Sequence, residues 1–315
     1  MDYNLFAMSA EERRGLWYVA LAVGILSTSP VLVVWADPMD PFTKTWGRLA
    51  VAALVVGVAS RLVAQSRADG QPDNTVLPRS RGQSALRFMA YGLVTALHFL
   101  FYIASLSFTT AAHALSIVYT APVFVTLLSA AMLKEPVRPR QWVGVGVTVV
   151  GVSVLAGLEP EMNWAMAFGD LLALLSAITF GLYSVAGRYE RARYQLLVYA
   201  WRVYGAAALW LTPVVLLTAP TLPPEAWGAR QIGSVVALGV GPLALGHTLY
   251  NASLRRVHAT YVNIIASQEV TGGIILSWLL LHQSPSVNSL AGALLTLVGI
   301  GLVLVQGPNT SRPTP

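Results

Sequence analysis

The hexapeptide FYIASL at Phe101 to Leu106 returns as LYNASL at Leu249 to Leu254, 148 residues further on, with tyrosine, alanine, serine and leucine in register. Working outward, Ala112 pairs with Ala259, Gly144 with Gly292, Thr148 with Thr296 and Gly151 with Gly299. Upstream, Arg48, Ala52 and Ala53 pair with Arg202, Ala206 and Ala207. Apolar helices resemble one another through composition alone. These matches, however, keep their order, hold a nearly constant offset and include polar residues that composition does not supply. The chain therefore reads as a duplication, residues 1–158 forming one half and 159–315 the other.

Composition says which solvent the two halves fold in. Of 315 residues, 55% are hydrophobic and 11% charged, with a mean hydropathy of +0.61, whereas a water-soluble domain carries about 25% charged residues. A helix needs roughly 20 mostly apolar residues to cross hydrocarbon. Ten such runs follow one another: Leu16 to Trp35, Thr43 to Val63, Phe88 to Phe108, Thr110 to Leu133, Gln141 to Leu158, Gly169 to Gly187, Leu196 to Leu217, Ile232 to Leu254, Ala259 to Leu281 and Val287 to Val305. Five runs per half is an odd number, so the second half must sit in the bilayer upside down relative to the first. The predicted fold class is all-α integral membrane: ten transmembrane helices as two inverted five-helix repeats around a central cavity, in one membrane domain. Ser66 to Gly82, rich in Arg, Asp, Gln, Pro and Ser, reads as a flexible loop, and the tail after Gln306 as disordered. The first run leads to Asp37, Pro38 and Asp40 with no small-residue cleavage pattern, and reads as a retained helix rather than a signal peptide.

Lysine and arginine sort by loop. Arg61, Arg67, Arg79, Arg81, Arg87, Lys134, Arg138, Arg140, Arg188, Arg191, Arg193, Arg255 and Arg256 fall on the side of the N-terminus. The opposite loops hold Asp37, Asp40, Glu159, Glu161 and Glu225 against Lys44 and Arg230. The positive-inside rule then puts both termini in the cytoplasm. The net charge of +6 is thus an orientation signal and implies no nucleic acid. The lack of any cysteine excludes disulfides, thiolate metal sites and cysteine nucleophiles. With no His/Glu metal motif, no Gly-x-Ser-x-Gly elbow and no P-loop, the sequence leads to expect neither an enzyme nor ATP-driven transport by this chain, and no cofactor or metal.

The early arginine Arg48, the YIASL and YNASL ends of the third and eighth runs, Pro122 in the fourth, and LKEPVRPRQWVGVGVTVVGVSVL at Leu133 to Leu155 together resemble the EamA family of the drug/metabolite transporter superfamily. Over its length the chain is most similar to the bacterial inner-membrane exporters of aromatic amino acids. The resemblance implies a secondary transporter that exports amino acids, aromatic and other apolar ones, across the cytoplasmic membrane by alternating access. Its partners would be the small-molecule substrate and membrane lipid, with a monomer as the unit. Export of other small amphipathic metabolites or drugs, or a non-transporting membrane subunit, stays open as an alternative. One departure stands out: Lys134-Glu135 after the fourth run has Leu281-His282 at the matching place after the ninth.

Polar side chains inside a span are costly unless they face protein or a wet cavity, so their helical phase maps a pathway. In the ninth run Thr260, Asn263, Ser267 and Thr271 share a face, with Trp278 further along it; 147 residues earlier stand His113, Ser116, Thr120 and Phe124, with Tyr119 at the edge. The third run carries Tyr91, Thr95, His98, Tyr102 and Ser105, and the eighth Tyr250 and Ser253 with His247 and Asn251 beside them. The candidate substrate-binding residues are His98, Tyr102, Tyr119, Thr120, Tyr250, Asn251, Asn263, Ser267 and Gln268. Each has an alternative use in bridging helices or bonding its own backbone. Glu269, about 15 Å into its span, is the only acidic residue at such depth. Its phase lies nearly opposite the polar stripe, on a face with Ala266, Gly272 and Gly273. A proton or substrate-amine site and a structural carboxylate both remain open for it. Arg48 and Arg202 are placed near opposite ends of the membrane, where each can reach headgroups or pair with acidic loops, and neither is read as deep enough for an anion site. Breaks able to serve as hinges are expected at Pro30, Pro122, Pro242 and the Gly272-Gly273 pair.

Overall fold

The computed structural model describes residues 9–68, 81–133, 139–157, 159, 160, 162–190, 193–254, 256, 257, 262 and 265–304. Among these residues every regular element is helical. α1 (Ala10–Leu26) opens on a capping box in which Ser9 Oγ accepts from the Glu12 N–H at 3.1 Å and the Glu12 carboxylate accepts from the Ser9 N–H at 2.8 Å. Two donors that a helix start leaves open are thereby satisfied. Pro30 has no N–H to donate four residues back and its ring clashes there, so the rod breaks at Ser27 and Thr28 and resumes as α2 (Ser29–Trp35). α3 (Pro41–Ala68) and α4 (Arg81–Ser105) are unbroken.

α5 (Ala111–Val118) starts on Thr110, whose Oγ1 accepts from the His113 N–H at 3.3 Å, and ends at a turn of Tyr119 and Thr120. α6 (Ala121–Leu133) follows with Pro122 in its first turn, the place where a proline costs a helix least. After α7 (Pro139–Gly157), α8 (Trp164–Glu190) and α9 (Leu196–Thr218), α10 (Ala229–Leu238) runs through a π-helical stretch, Gly239–Gly246, into α11 (His247–Leu254). Pro242 sits in that stretch, where the wider turn absorbs its missing donor. α12 (Glu269–Leu281) begins after a turn at Ser267 and Gln268, and α13 (Val287–Leu304) closes the described chain.

Among the described residues seven helical stretches are long and apolar enough to cross a bilayer: Ala10–Trp35, Pro41–Gln65, Ser84–Ser105, Ala111–Leu128, Trp164–Gly187, Leu196–Thr221 and Ala229–Ser253. Glu269–Leu281 and Val287–Val303 are shorter apolar helices. The run expected over Ala259 to Leu281 is shorter as a helix because of the turn at Ser267 and Gln268, and part of its beginning lies outside the described residues. Leu54, Leu216, Leu217 and Leu294 point outward, each more than 60% exposed, as side chains do when the surrounding medium is hydrocarbon.

Two pairs of helices pack along one another across the two halves of the sequence. α7 crosses α13 at glycines so close that a Cβ on Gly151 would stand 2.6 Å from Thr296 Oγ1, and one on Gly299 would stand 2.8 Å from Thr148 Cα. Likewise α3 lies along α9. Gly92 of α4 abuts Ala206 of α9, and Gly239 of the π stretch abuts Val51 of α3. Gly272 and Gly273 correct one expectation. They lie inside unbroken α12, where a Cβ would run into Ser27 and Leu115, so they serve close packing, and the break stands at Ser267 and Gln268 instead.

Candidate functional site

Three of the helix breaks described above face the same place. A cavity of about 120 Å³ is lined by Leu26 and Ser29 from the α1–α2 break, by Val118, Tyr119, Ala121 and Pro122 from the α5–α6 break, and by Ala266, Ser267 and Glu269 from the turn before α12. His247 and Tyr250 enter just past the π stretch, His98, Phe99, Tyr102 and Leu115 from α4 and α5, Arg48 from α3 and Phe180 from α8. Helix breaks at depth leave backbone groups without intrahelical partners, which is tolerated where they line a cavity.

Glu269 is buried and accepts a hydrogen bond from the Tyr119 hydroxyl on Oε2. Extrapolating one regular helix through the ninth run put it opposite Ser267. The turn between them resets the phase, and both line the cavity. His98 is tied to α8: its Nδ1 lies 3.0 Å from the Ser176 carbonyl oxygen, and Ser176 Oγ donates to the His98 carbonyl at 3.0 Å. The hydroxyls of Tyr102 and Ser29 are buried within reach of one another, and among the described residues no third group bonds either.

Arg48 is the residue that sequence reasoning placed wrongly. It is only 2% exposed, its Cζ stands 4.4 Å from the centroid of the Phe99 ring, and its Nε and Nη1 have no hydrogen-bond partner. Counting residues from the end of the span located it by depth in lipid, and depth says nothing about which neighbour a side chain faces. A signal was present: one deep acid, Glu269, in a chain with one early arginine per half. The matching Arg202 is half-buried and stacks over Phe88, Tyr194 and Trp201 at 5.5, 5.8 and 5.6 Å.

Of the expected site residues, His98, Tyr102, Tyr119, Tyr250, Ser267 and Glu269 line the cavity, as does Pro122. Three others do not. Thr120 donates its hydroxyl to the Ile117 carbonyl at 2.6 Å, Asn251 donates from Nδ2 to the His247 carbonyl at 2.7 Å, and Gln268 is exposed. In the first two the side chain satisfies its own helix, the usual local competitor for short polar groups. Asn263 lies outside the described residues. Pro30 is buried beside the first break.

Two further polar clusters lie outside the cavity lining. At one, Glu190 Oε1 accepts from Arg87 and from the Tyr91 hydroxyl, each at 2.9 Å, while Arg193 pairs with Oε2 at 3.5 Å. At the other, His113 Nδ1 lies 2.9 Å from Asp170 and its Nε2 3.4 Å from Glu159; Thr109 donates to Asp170 at 2.8 Å, and Ser286 and Ser289 donate to Glu159 at 2.5 and 2.7 Å. Burial pushes the Glu159 carboxyl up, but the bonds from Ser286, Ser289 and His113 together outweigh it and hold the group below the usual carboxylate range.

The EamA-like transporter family model matches residues 13–157 and 167–305. The chain belongs to the EamA-like transporter family. It is similar to the uncharacterized transporter YoaV of Bacillus subtilis (strain 168), 23% identical over 58% of this chain and 63% of that one. It is also similar to an uncharacterized transporter of Archaeoglobus fulgidus, 23% identical over 60% and 66% of the two chains. The uncharacterized transporter YcxC of Bacillus subtilis is 27% identical over 70% of this chain and 73% of that one. The chain therefore spans about two thirds of the length of these relatives. A solved crystal structure with 22% sequence identity superposes at a TM-score of 0.61 over 93% of this chain and 97% of that chain, a likeness of fold.

Proposed function

We propose that the protein is a secondary transporter that exports amino acids, aromatic and other apolar ones, across the cytoplasmic membrane by alternating access. The observation that carries this reading is the cavity at the convergence of the helix breaks, where buried polar groups without partners stand among aromatic and apolar walls. Binding sites of small molecules have this character, a mostly apolar lining with a few convergent polar groups, and transporters form them from discontinuous helices near the midplane. Family membership supports a transporter over an enzyme.

The moving parts are residues 1–158 and 159–315, read as inverted five-helix halves. Reciprocal packing supports this: Gly151 meets Thr296 as Gly299 meets Thr148, and Gly92 meets Ala206 as Gly239 meets Val51. A two-fold relation produces paired contacts of this kind. The two separate matches of the family model support it as well. With both termini cytoplasmic, the Glu190 cluster closes the inner end and the His113 cluster the outer end. Rocking about the breaks at Pro30, Pro122 and Pro242 opens one end at a time. The test is flux of a panel of radiolabelled amino acids in proteoliposomes, with and without a pH gradient. Saturable flux of phenylalanine or tryptophan above protein-free vesicles is expected, and its absence for every amino acid overturns the reading.

A further inference from the structure

Arg48 is the eighth residue of α3 and stands about 10 Å along that helix. It is buried and lines the cavity with Glu269; among the described residues it forms no direct ion pair, two of its guanidinium nitrogens lack any hydrogen bond, and its guanidinium stands over the face of Phe99. The other buried charges outside the cavity are treated differently. Lys44 pairs with Asp37, Glu190 with Arg87 and Arg193, and Asp170 with His113. A buried ion that its counter-ion does not touch is unfavourable, and Arg48 shares the cavity with Glu269 without direct pairing, so a chain that pairs its ions in contact elsewhere keeps this one for a partner that comes and goes.

We propose that Arg48 is the anion receptor of the cavity and that it selects a small organic monocarboxylate with an apolar or aromatic body. A guanidinium matches a carboxylate with two parallel N–H···O bonds. A phosphate ester would also meet that fork, but Glu269 shares the cavity and repels a dianion. The walls of Phe99, Phe180 and Leu115 take the apolar body. An amino group on the substrate is accommodated as well, because the Tyr119 hydroxyl bonds Oε2 of Glu269, and among the described residues no further hydrogen bond to this carboxylate is seen. A zwitterion thus finds a partner at both ends, whereas an amine alone leaves Arg48 unpaired. The inference deepens the transport reading of this cavity and rests on it for the substrate class.

The experiment measures binding to the purified full chain in detergent by isothermal titration with 3-phenylpropionate, phenylalanine, phenethylamine and phenyl phosphate. The first two are expected to bind and the last two to bind far more weakly. Arg48→Gln weakens 3-phenylpropionate by about thirtyfold or more, with Arg48→Lys intermediate. Phenethylamine or phenyl phosphate binding as well as phenylalanine, a wild type indifferent to 3-phenylpropionate, or an Arg48→Gln variant with unchanged affinity would each overturn the proposal. Should Arg48→Gln fail to fold, the wild-type ligand series decides alone. Carboxylate binding through Arg48 without amino acid flux would remove the transport reading and leave the receptor standing. Flux that ignores the carboxylate would do the reverse.

Discussion

Where α4 begins and α8 ends, Glu190 is buried beneath two arginines and a tyrosine hydroxyl, and where α5 begins, His113 has a carboxylate at each ring nitrogen. In the cavity Arg48 is just as buried, and the contact its guanidinium makes is the face of a phenylalanine. Both kinds of charge were taken out of the solvent during folding, so burial alone does not separate them. Partnership does: the end clusters are complete without any ligand and join α4 and α5 to α8 and α13, whereas the cavity holds unused capacity. Complete clusters hold a closure in place, and an incomplete one is where binding energy can be gained. This contrast makes substitutions at the ends and in the middle differ in sign.

The largest loss of stability is expected for Asp170→Ala. It strips His113, which has no solvent exposure, of its nearer carboxylate and leaves the Thr109 hydroxyl without an acceptor, and breaking a buried pair from one side costs about 3 kcal/mol or more. Thermal unfolding of the purified protein in detergent checks this, and an unchanged midpoint would remove the His113 cluster from the comparison. Glu190→Ala comes next. Its arginine partners are 33% and 31% exposed and can turn toward water, so the same assay should show a smaller drop of several degrees.

Glu159→Gln is smaller again and depends on pH. Because the folded carboxyl is held below its ordinary value, its contribution is fully present above the usual carboxylate range and disappears as pH falls through the lowered value. The gap in melting temperature between wild type and Glu159→Gln should therefore be largest near neutral pH and close on acidification. A gap that stays constant would mean that the bonds from Ser286 and Ser289 do not depend on the charge.

Much of the cavity could be read from the sequence: His98, Tyr102, Tyr119 and Tyr250 all line it, although Tyr91 and His113 of the same polar stripes bond Glu190 and Asp170 instead. Thr120 and Asn251 could not be sorted the same way, since a short polar side chain reaches its own helix carbonyl as easily as a ligand. Glu269 was legible as an unusual residue but not in its direction. Helical phase holds only along an unbroken helix, and no proline announces the turn at Ser267 and Gln268. Pro30 and Pro122 did announce theirs. The glycines at 144, 151, 292 and 299 were matched as repeats, yet their role in bringing α7 against α13 depends on tertiary packing.

The comparison is sharpest at its smallest expected effect, Arg48→Met. The substitution gives up a cation–π contact worth about 1–2 kcal/mol and relieves a buried, unpaired ion whose desolvation costs several kcal/mol, while the methionine keeps an apolar stem of similar reach beside Phe99. The melting temperature should stay level or rise slightly, the opposite of every end-cluster variant, although carboxylate binding is lost. A marked fall in melting temperature would place Arg48 with Glu190 and His113 as a structural charge. The middle of the bundle would then differ from its ends only in the length of its bonds.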